Sequence, residues 1–260
     1  MIIGTVSTLV VFTVAAVLIT RAPGWQKVQE TFFDPQRAKA SFQPLLHAFV
    51  LNIKIFLVAE PFILVLGLGI AVLRGVGGPI LAPVRVAAAV YTDVVRGVPT
   101  ILLILLFGFG IPALGISGLT TSAIVWGTVA LIVSYSAYVA EVFRAGIESV
   151  HPSQRAAARS LGLTQSQAMR HVVLPQAIRR VIPPLLNDFI SLQKDTALVS
   201  VLGPLEMVRV AQIDTSYYFN YTAYVVASVL FVALTVPMAR FTDWVSARMK
   251  RKQQGAGGGW

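Results

Sequence analysis

Thr222-Ala-Tyr-Val-Val-Ala-Ser-Val-Leu-Phe-Val-Ala-Leu-Thr-Val-Pro-Met-Ala239 runs for 18 residues without a charged side chain. Ile2 to Thr20 does the same for 19 residues. About 20 mostly apolar residues in an α-helix cross the hydrocarbon core of a bilayer. Core helices of water-soluble proteins rarely stay apolar all the way round. The composition agrees: 56% of the chain is hydrophobic and only 12% is charged, against about a quarter charged in an ordinary soluble domain. These stretches predict an all-α polytopic membrane protein and exclude a conventional soluble fold.

The formal net charge of +10 raises the question of nucleic acid. The basic residues instead sit in short segments between apolar runs, where topology signals of membrane proteins lie, so no nucleic-acid partner is expected and membrane lipid is. There is no cysteine, hence no disulfide or thiolate chemistry. Met1 to Thr20 lacks a basic leader and Ile19-Thr20-Arg21 is a poor cleavage site, so it reads as an uncleaved span.

Six spans are expected, at about 2–20, 46–73, 86–113, 119–143, 177–202 and 221–243. Residues 1–20 form an N-terminal transmembrane helix. Residues 21–45 are a polar, aromatic-containing connection with Pro23, Pro35 and Pro44 and room for a short interfacial helix. Residues 46–248 form the main helical body, with a long polar loop at 144–176. Arg74 to Arg85 reads as a tight Gly/Pro loop. Residues 249–260 are basic and then Gly-rich, and Gly255 to Trp260 is expected to be irregular. No internal repeat of useful length occurs.

Segments 74–96, 144–180 and 240–252 hold 14 of the 21 Lys and Arg residues. With six spans they share one side with both termini, and the positive-inside rule makes that side the cytoplasm. Arg21, Lys27, Arg37, Lys39 and Arg209 fall on the other side. Four of those lie in the first external segment, against the rule.

In the loop, Pro152 and Ser153 open a helix-favouring Ala run that breaks at Gly162, a residue able to take the positive φ of a helix C-terminus. Thr164 and Gln167 then have the spacing of a capping box. A second helix is expected to Val173, stopped by Leu174-Pro175. Such a hairpin, with Ala157 and Ala158 allowing close approach and Arg155, Arg159 and Arg170 offering charge, suits a handle for a soluble partner. It equally suits an amphipathic loop on anionic lipid. Physics alone leaves both readings open.

Ala157-Ala158, Gly162 and Val172-Val173-Leu174-Pro175, in that order and spacing, resemble the EAA loop of ABC importer permeases, although Ala156 stands where the loop's usual Glu opens it. Tyr91 to Thr100 with Arg96-Gly97-Val98-Pro99, Ala137 to Ile147 with Glu141 and Arg144, Leu174 to Arg180 and Lys194 to Ser200 are similar to the polar amino acid branch, of the histidine, glutamine and arginine type. The resemblance covers about 46–248. It implies a five-helix type I importer core, here preceded by an additional N-terminal transmembrane helix. It also implies a prokaryotic inner or plasma membrane location. The implied partners are a separate ABC ATPase that binds ATP and Mg, a second permease subunit and an extracytoplasmic amino acid-binding protein. Ala157, Ala158, Arg159, Gly162, Leu174 and Pro175 are the implied ATPase-coupling residues.

The remaining candidates come from polar groups in apolar spans, which are expensive and mark pathways or pairs. Asn187, Asp188, Ser191, Lys194 and Asp195 fall within about 120° of one helix face at 100° per residue. They read as the lining of a translocation path or, alternatively, as a structural ion-pair set around Lys194. Glu60, next to Pro61, is a candidate for the same path or for helix packing. Ser134, Tyr138 and Glu141 share a face, with Arg96 as a partner for Glu141. His47, His151 and His171 are scattered, so no metal site is expected. No Gly-Lys pair exists, so no P-loop can form. No catalytic residue or cofactor is expected in this chain.

Overall fold

The computed structural model describes residues 2–75 and 78–257. Among them, twelve α-helices appear in order: α1 (Ile2–Thr20), α2 (Trp25–Phe32), α3 (Pro35–Gly75), α4 (Ala82–Gly97), α5 (Thr100–Leu105), α6 (Ile111–Ala113), α7 (Ala123–Glu148), α8 (Pro152–Ser160), α9 (Gln165–Ala168), α10 (Leu174–Asp195), α11 (Met207–Tyr218) and α12 (Thr222–Gly257). No strand occurs among the described residues.

α1 is apolar all round, and its residues from Gly4 to Thr20 are all exposed. It is a helix over the residues of the expected first span and is as apolar as that reading requires. The short helix α2 and the start of α3 occupy the residues where a polar connection was expected. α2 carries Trp25, Val28 and Phe32 on one face. α3 begins at Pro35, well before the expected start of the second span at 46. The start is well signed: Asp34 Oδ1 accepts from the Gln36 and Arg37 amides at 2.8 and 3.2 Å, an N-cap followed by a proline at the first helical position. Pro44 and Pro61 lie inside this 41-residue helix. Helices in membrane proteins tolerate such prolines because neighbours re-satisfy the freed groups.

The third expected span is not one helix. α4 and the helical stretch Thr100–Ala113 meet at 102°, broken at Val98-Pro99. Proline pushes its preceding residue out of the helical region, and Val98 is extended at φ −96°, ψ 130°. The second stretch holds a π-helical turn at Leu106–Gly110. The fourth span lies at Ala123–Glu148, shifted toward the loop relative to 119–143.

The fifth span also departs from expectation at both ends. Leu174-Pro175 does not stop the preceding helix. A π-helical turn at Met169–Val173 joins α9 to α10, and Pro175 lies within the continuous helical run so formed. At the far end α10 gives way to a 3-10 helix, Thr196–Leu202. Gly203 then takes φ 101°, and α11, which the sequence reading did not anticipate, departs at 52°. α12 runs past 243 to Gly257, so residues 255–257 are helical rather than irregular. Residues 258–260 lie outside the described residues, as do Val76 and Gly77 of the expected Gly/Pro loop.

Three apolar clusters hold the bundle. The main one joins Ile55, Phe56, Ala59 and Ile63 of α3 with Leu103, Ile104, Leu131, Val139, Leu192, Val199 and Leu202. A second joins Leu45, Ala48 and Phe49 of α3 to Met207 and Ala211 of α11 and Ala223 and Ala227 of α12. A third, Val150, Val173 and Ala177, sits under the loop. Helix approach relies on small residues, as in membrane bundles generally. A Cβ on Gly67 would lie 2.6 Å from Val139 Cγ1, and one on Gly146 would lie 2.1 Å from Val181 Cγ1.

Candidate functional site

The polar face of α10 forms as its spacing predicts. Asn187 and Lys194 are exposed, while Asp188, Ser191 and Asp195 are half-buried. Asp195 Oδ2 accepts from the Tyr135 hydroxyl of α7 at 2.8 Å. Asp188 Oδ2 is buried with no hydrogen-bond partner, and Asp188 is an electrostatic neighbour of half-buried Glu60 on α3. The fold therefore gathers Glu60, Asp188, Asp195 and Tyr135 from three helices into one acidic, phenol-bearing group. Lys194 stands apart: no carboxylate lies within 4 Å of it among the described residues. An ion-pair set centred on Lys194 is thus not formed among the described residues. Tyr135 was missed in the sequence because a tyrosine beside Ser134 and Ser136 carries no periodic signal of its own.

A second polar group was also missed. Glu206 is fully buried, and its carboxylate caps α11, accepting from the Val208 and Arg209 amides at 3.0 and 2.6 Å. Asn52 of α3 donates to Glu206 Oε2 at 2.9 Å and to Thr196 Oγ1 at 3.2 Å, and its carbonyl accepts from the Met207 amide at 3.1 Å. A helix N-terminus favours a carboxylate, so Glu206 needs no cation. The group sets the angle at which α11 leaves the Gly203-Pro204 break. The Glu-to-amide spacing of an N-cap was present in the sequence, but α11 itself was not recognised there.

At the other end of the bundle, Glu141 of α7 collects guanidinium groups from three helices. Arg74 of α3 lies at 3.0 Å and Arg96 of α4 at 3.8 Å, and Arg144 pairs with both Glu141 and Glu148. The expected Arg96 contact is present, but Arg74 is nearer and more buried. Tyr138 donates to the Arg96 carbonyl at 3.4 Å, and Ser134 is paired with Thr100 at 2.9 Å.

The loop folds as a helix–Gly–helix turn. His151 caps α8 by accepting from the Ser153 amide. Gly162 takes φ 83°. Its amide reaches the Arg159 carbonyl at 3.0 Å and the Leu163 amide reaches the Ala158 carbonyl at 3.2 Å, the two bonds of a Schellman motif. The Thr164–Gln167 capping box forms reciprocally, at 2.8 and 3.3 Å. Ala158 is buried against the chain, whereas Ala157 is exposed, so the two alanines do not present a common outer surface. Arg159 bonds the Leu163 carbonyl, Arg155 the Ile147 carbonyl, and Arg180 the Ser149 carbonyl. Leu161, at the turn, is 84% exposed. Leu174 and Pro175, expected as the loop's terminator, begin α10 instead.

The protein-family model of the inner membrane component of binding-protein-dependent transport systems matches residues 63–251, most of this chain. The chain belongs to that family. Its membrane-spanning helices make it a multi-pass inner membrane protein. A probable glutamine ABC transporter permease protein of Bacillus subtilis (strain 168) is 36% identical over 188 residues, covering 72% of this chain and 84% of the relative. A probable amino-acid permease protein of the same organism is 30% identical over 213 residues, 82% of this chain and 94% of the relative. Among solved structures, an amino acid ABC transporter with histidines superposes with a TM-score of 0.73 at 33% identity, covering 79% of this chain and 94% of that one. A methionine ABC transporter, inward facing, shares the fold at TM-score 0.61 and 23% identity. The family match begins inside α3, so α1, α2 and the first part of α3 of this permease lie outside it.

Proposed function

We propose that this chain is the permease subunit of an ABC importer of polar amino acids, and that loop 144–176 couples it to a separate ATPase. The observation that carries the coupling half is the loop's construction. A left-handed Gly turn, two cap motifs and an apolar base fix its shape, yet Leu161 at its tip is 84% exposed, with nothing among the described residues covering it. A fixed shape with an exposed apolar tip suits insertion into a cleft of a folded partner, and suits lipid less, since a fluid surface needs no preset shape. Ala157, Arg159 and Gly162 form the outward part of this handle; Ala158 supports it from beneath.

The relatives named above support amino acids as the cargo, and basic-residue placement supports a cytoplasmic loop and C-terminus. The path runs along the α10 face of Asn187, Asp188, Ser191 and Asp195, where Asp188 neighbours Glu60 and Asp195 bonds Tyr135. Carboxylates there meet an ammonium group, and Lys194 is available to a carboxylate. A second permease subunit completes the path, and a binding protein delivers cargo from outside. ATP and Mg belong to the ATPase. Its closure moves the loop, and the coupling acts in both directions, so cargo delivery must also change ATP turnover.

The test is Leu161→Ser in the assembled complex. An exposed side chain is dispensable for folding, so membrane insertion should be normal while binding-protein-stimulated ATPase and uptake fall together by about tenfold, the scale of losing one buried leucine at an interface. Full stimulation in this variant would remove the loop from the coupling role.

A further inference from the structure

Lys54 of α3 belongs neither to the path nor to the loop. It is exposed, and no carboxylate lies within 4 Å of it among the described residues. Its depth is set by α7. The two helices run side by side in the same direction and touch at Gly67 and Val139. Lys54 comes level with the first turn of α7, where it borders one groove together with Ile124 and Val125. That turn is the end of α7 farthest from loop 144–176. Trp126 in the same turn donates its indole N–H to the Thr120 carbonyl at 2.7 Å. Tryptophans of this kind gather where hydrocarbon meets headgroups, a depth at which a lysine meets phosphate.

The groove between α3 and α7 encloses about 570 Å³. Beyond Lys54 its walls include Val58 and Phe62 of α3, both more than half exposed, and Val125 and Thr128 of α7. Thr128 spends its hydroxyl on the Ile124 carbonyl at 2.7 Å, so among the lining side chains Lys54 alone keeps a polar group free for a ligand. From Lys54 to Phe62 is about 12 Å along the helix, and the Gly67–Val139 contact lies about 7 Å further, where a Cβ on Gly67 would come within 2.6 Å of Val139 Cγ1. One end of the groove is thus charged, its length is apolar, and its foot is closed by helix contact. The positive end of the α7 dipole adds to the charge at the same rim. α1 has no charged side chain; seated here it would fill the groove and leave the ammonium group unmatched. An acyl chain hanging from an anionic headgroup matches both parts.

We infer that this groove is a binding site for an anionic phospholipid, with the phosphate on Lys54 and one acyl chain laid between α3 and α7 toward Phe62. Within a bilayer an apolar wall gains little over other lipid tails, so association there rests on packing and polar contacts. The groove's shape holds the chain, and the charge selects the headgroup, by about fivefold for one basic residue at an anionic membrane surface. The bound lipid fills the seam beyond the Gly67 contact and braces α3 against α7, the helices that carry Glu60 and Tyr135.

The experiment presents the full-length chain, in its purified complex and in neutral detergent, with equal amounts of dioleoyl phosphatidylglycerol and dioleoyl phosphatidylcholine, and counts retained lipid by native mass spectrometry. The wild type should keep phosphatidylglycerol in preference to phosphatidylcholine. Lys54→Gln should lower phosphatidylglycerol retention about fivefold and abolish the preference, while Lys54→Arg keeps both. Val58→Trp, which blocks the groove beside Lys54 and leaves the charge in place, should release both lipids. Thermal unfolding without added lipid should be the same in all four proteins. Undiminished phosphatidylglycerol retention in Lys54→Gln would overturn the inference, and so would undiminished retention in a folded Val58→Trp. A disulfide forming between the two copies of Val58→Cys in the complex, with no lipid retained by the wild type, would overturn it too and make the groove a subunit interface.

Discussion

Gly162 offers a perturbation whose size follows from the backbone alone. It sits at φ 83°, and a Cβ built on it meets nothing within 4 Å, so a substitution there creates no clash. Only the conformational preference of the new residue counts. A β-carbon in the left-handed region costs about 1–2 kcal/mol, less for Asn, whose side chain bonds locally, and more for a β-branched residue. The expected order of loop stability is therefore Gly, then Asn, then Ala, then Val. A cost of that size shifts the ratio of ordered to disordered turn by a factor of about 5–30. If the turn rearranges, the Schellman bonds from Gly162 and Leu163 go with it, at about 1 kcal/mol each. Transport-coupled ATPase of the reconstituted complex should fall in that order, with Gly162→Val losing most. Thermal unfolding of the membrane body should barely move, because the three apolar clusters are untouched. Equal coupling across the series, or Gly162→Val matching Gly162→Asn, would refute the claim that this turn's fixed shape transmits the signal.

Further outcomes follow from the packing. Glu141→Gln should lower the thermal stability of the purified protein by about 1–3 kcal/mol, because three arginines lose their shared carboxylate. Arg74→Ala should cost more than Arg96→Ala, since Arg74 is nearer to Glu141 and less exposed; thermal melts of the two variants check the order. Gly146→Leu should destabilise by about 1–3 kcal/mol through overpacking against Val181, and adding Val181→Ala should recover much of it, a coupling readable in a double-mutant cycle. Asn52→Leu should cost about 2–4 kcal/mol, having stripped partners from the buried Glu206 carboxylate and the Met207 amide, and protease sensitivity should appear first around α11.

The helices were legible from the sequence to the extent that lipid decides them. Long charge-free runs and the placement of Lys and Arg need no tertiary information, so the α1 helix was found at its expected bounds and α7 and α12 with only their ends displaced. The loop's caps were legible too, because Gly162, Thr164 and Gln167 act through bonds to near neighbours. Proline was the main source of error. Pro35 starts a helix, Pro44 and Pro61 sit inside one, Pro99 breaks one, and Pro175 enters one through a π turn. The same residue does four things, and what selects among them is whether neighbouring helices re-satisfy the freed carbonyl. Pair identities were similarly hidden. Arg74, rather than Arg96, became the closer partner of Glu141 because α3 passes beside α7 at Gly67 and Val139, an approach that no spacing along α3 announces.

The exposure pattern of α10 carries a constraint on assembly. Asn187 and Lys194 are open on the surface of a helix that lies at membrane depth, next to an Asp188 oxygen with no partner. A lysine facing hydrocarbon at the middle of a span costs about 2.5–3.5 kcal/mol on insertion scales, and lipid-exposed breaks in helices are avoided for the same reason. Both breaks, at Val98-Pro99 and at Gly203-Pro204, belong to segments that pack on the core around Leu202. The polar stripe and the broken helices thus mark the side of this chain that cannot face lipid, while α1, apolar on every face, marks a side that can. A single copy in a bilayer would leave the stripe against acyl chains. Spin labels at position 187 should therefore report water or protein surroundings in the assembled transporter and shift toward a lipid-like signal, with loss of solubility, when the chain is isolated alone. A lipid-like signal at 187 in the active complex would mean that the path lies elsewhere than along α10.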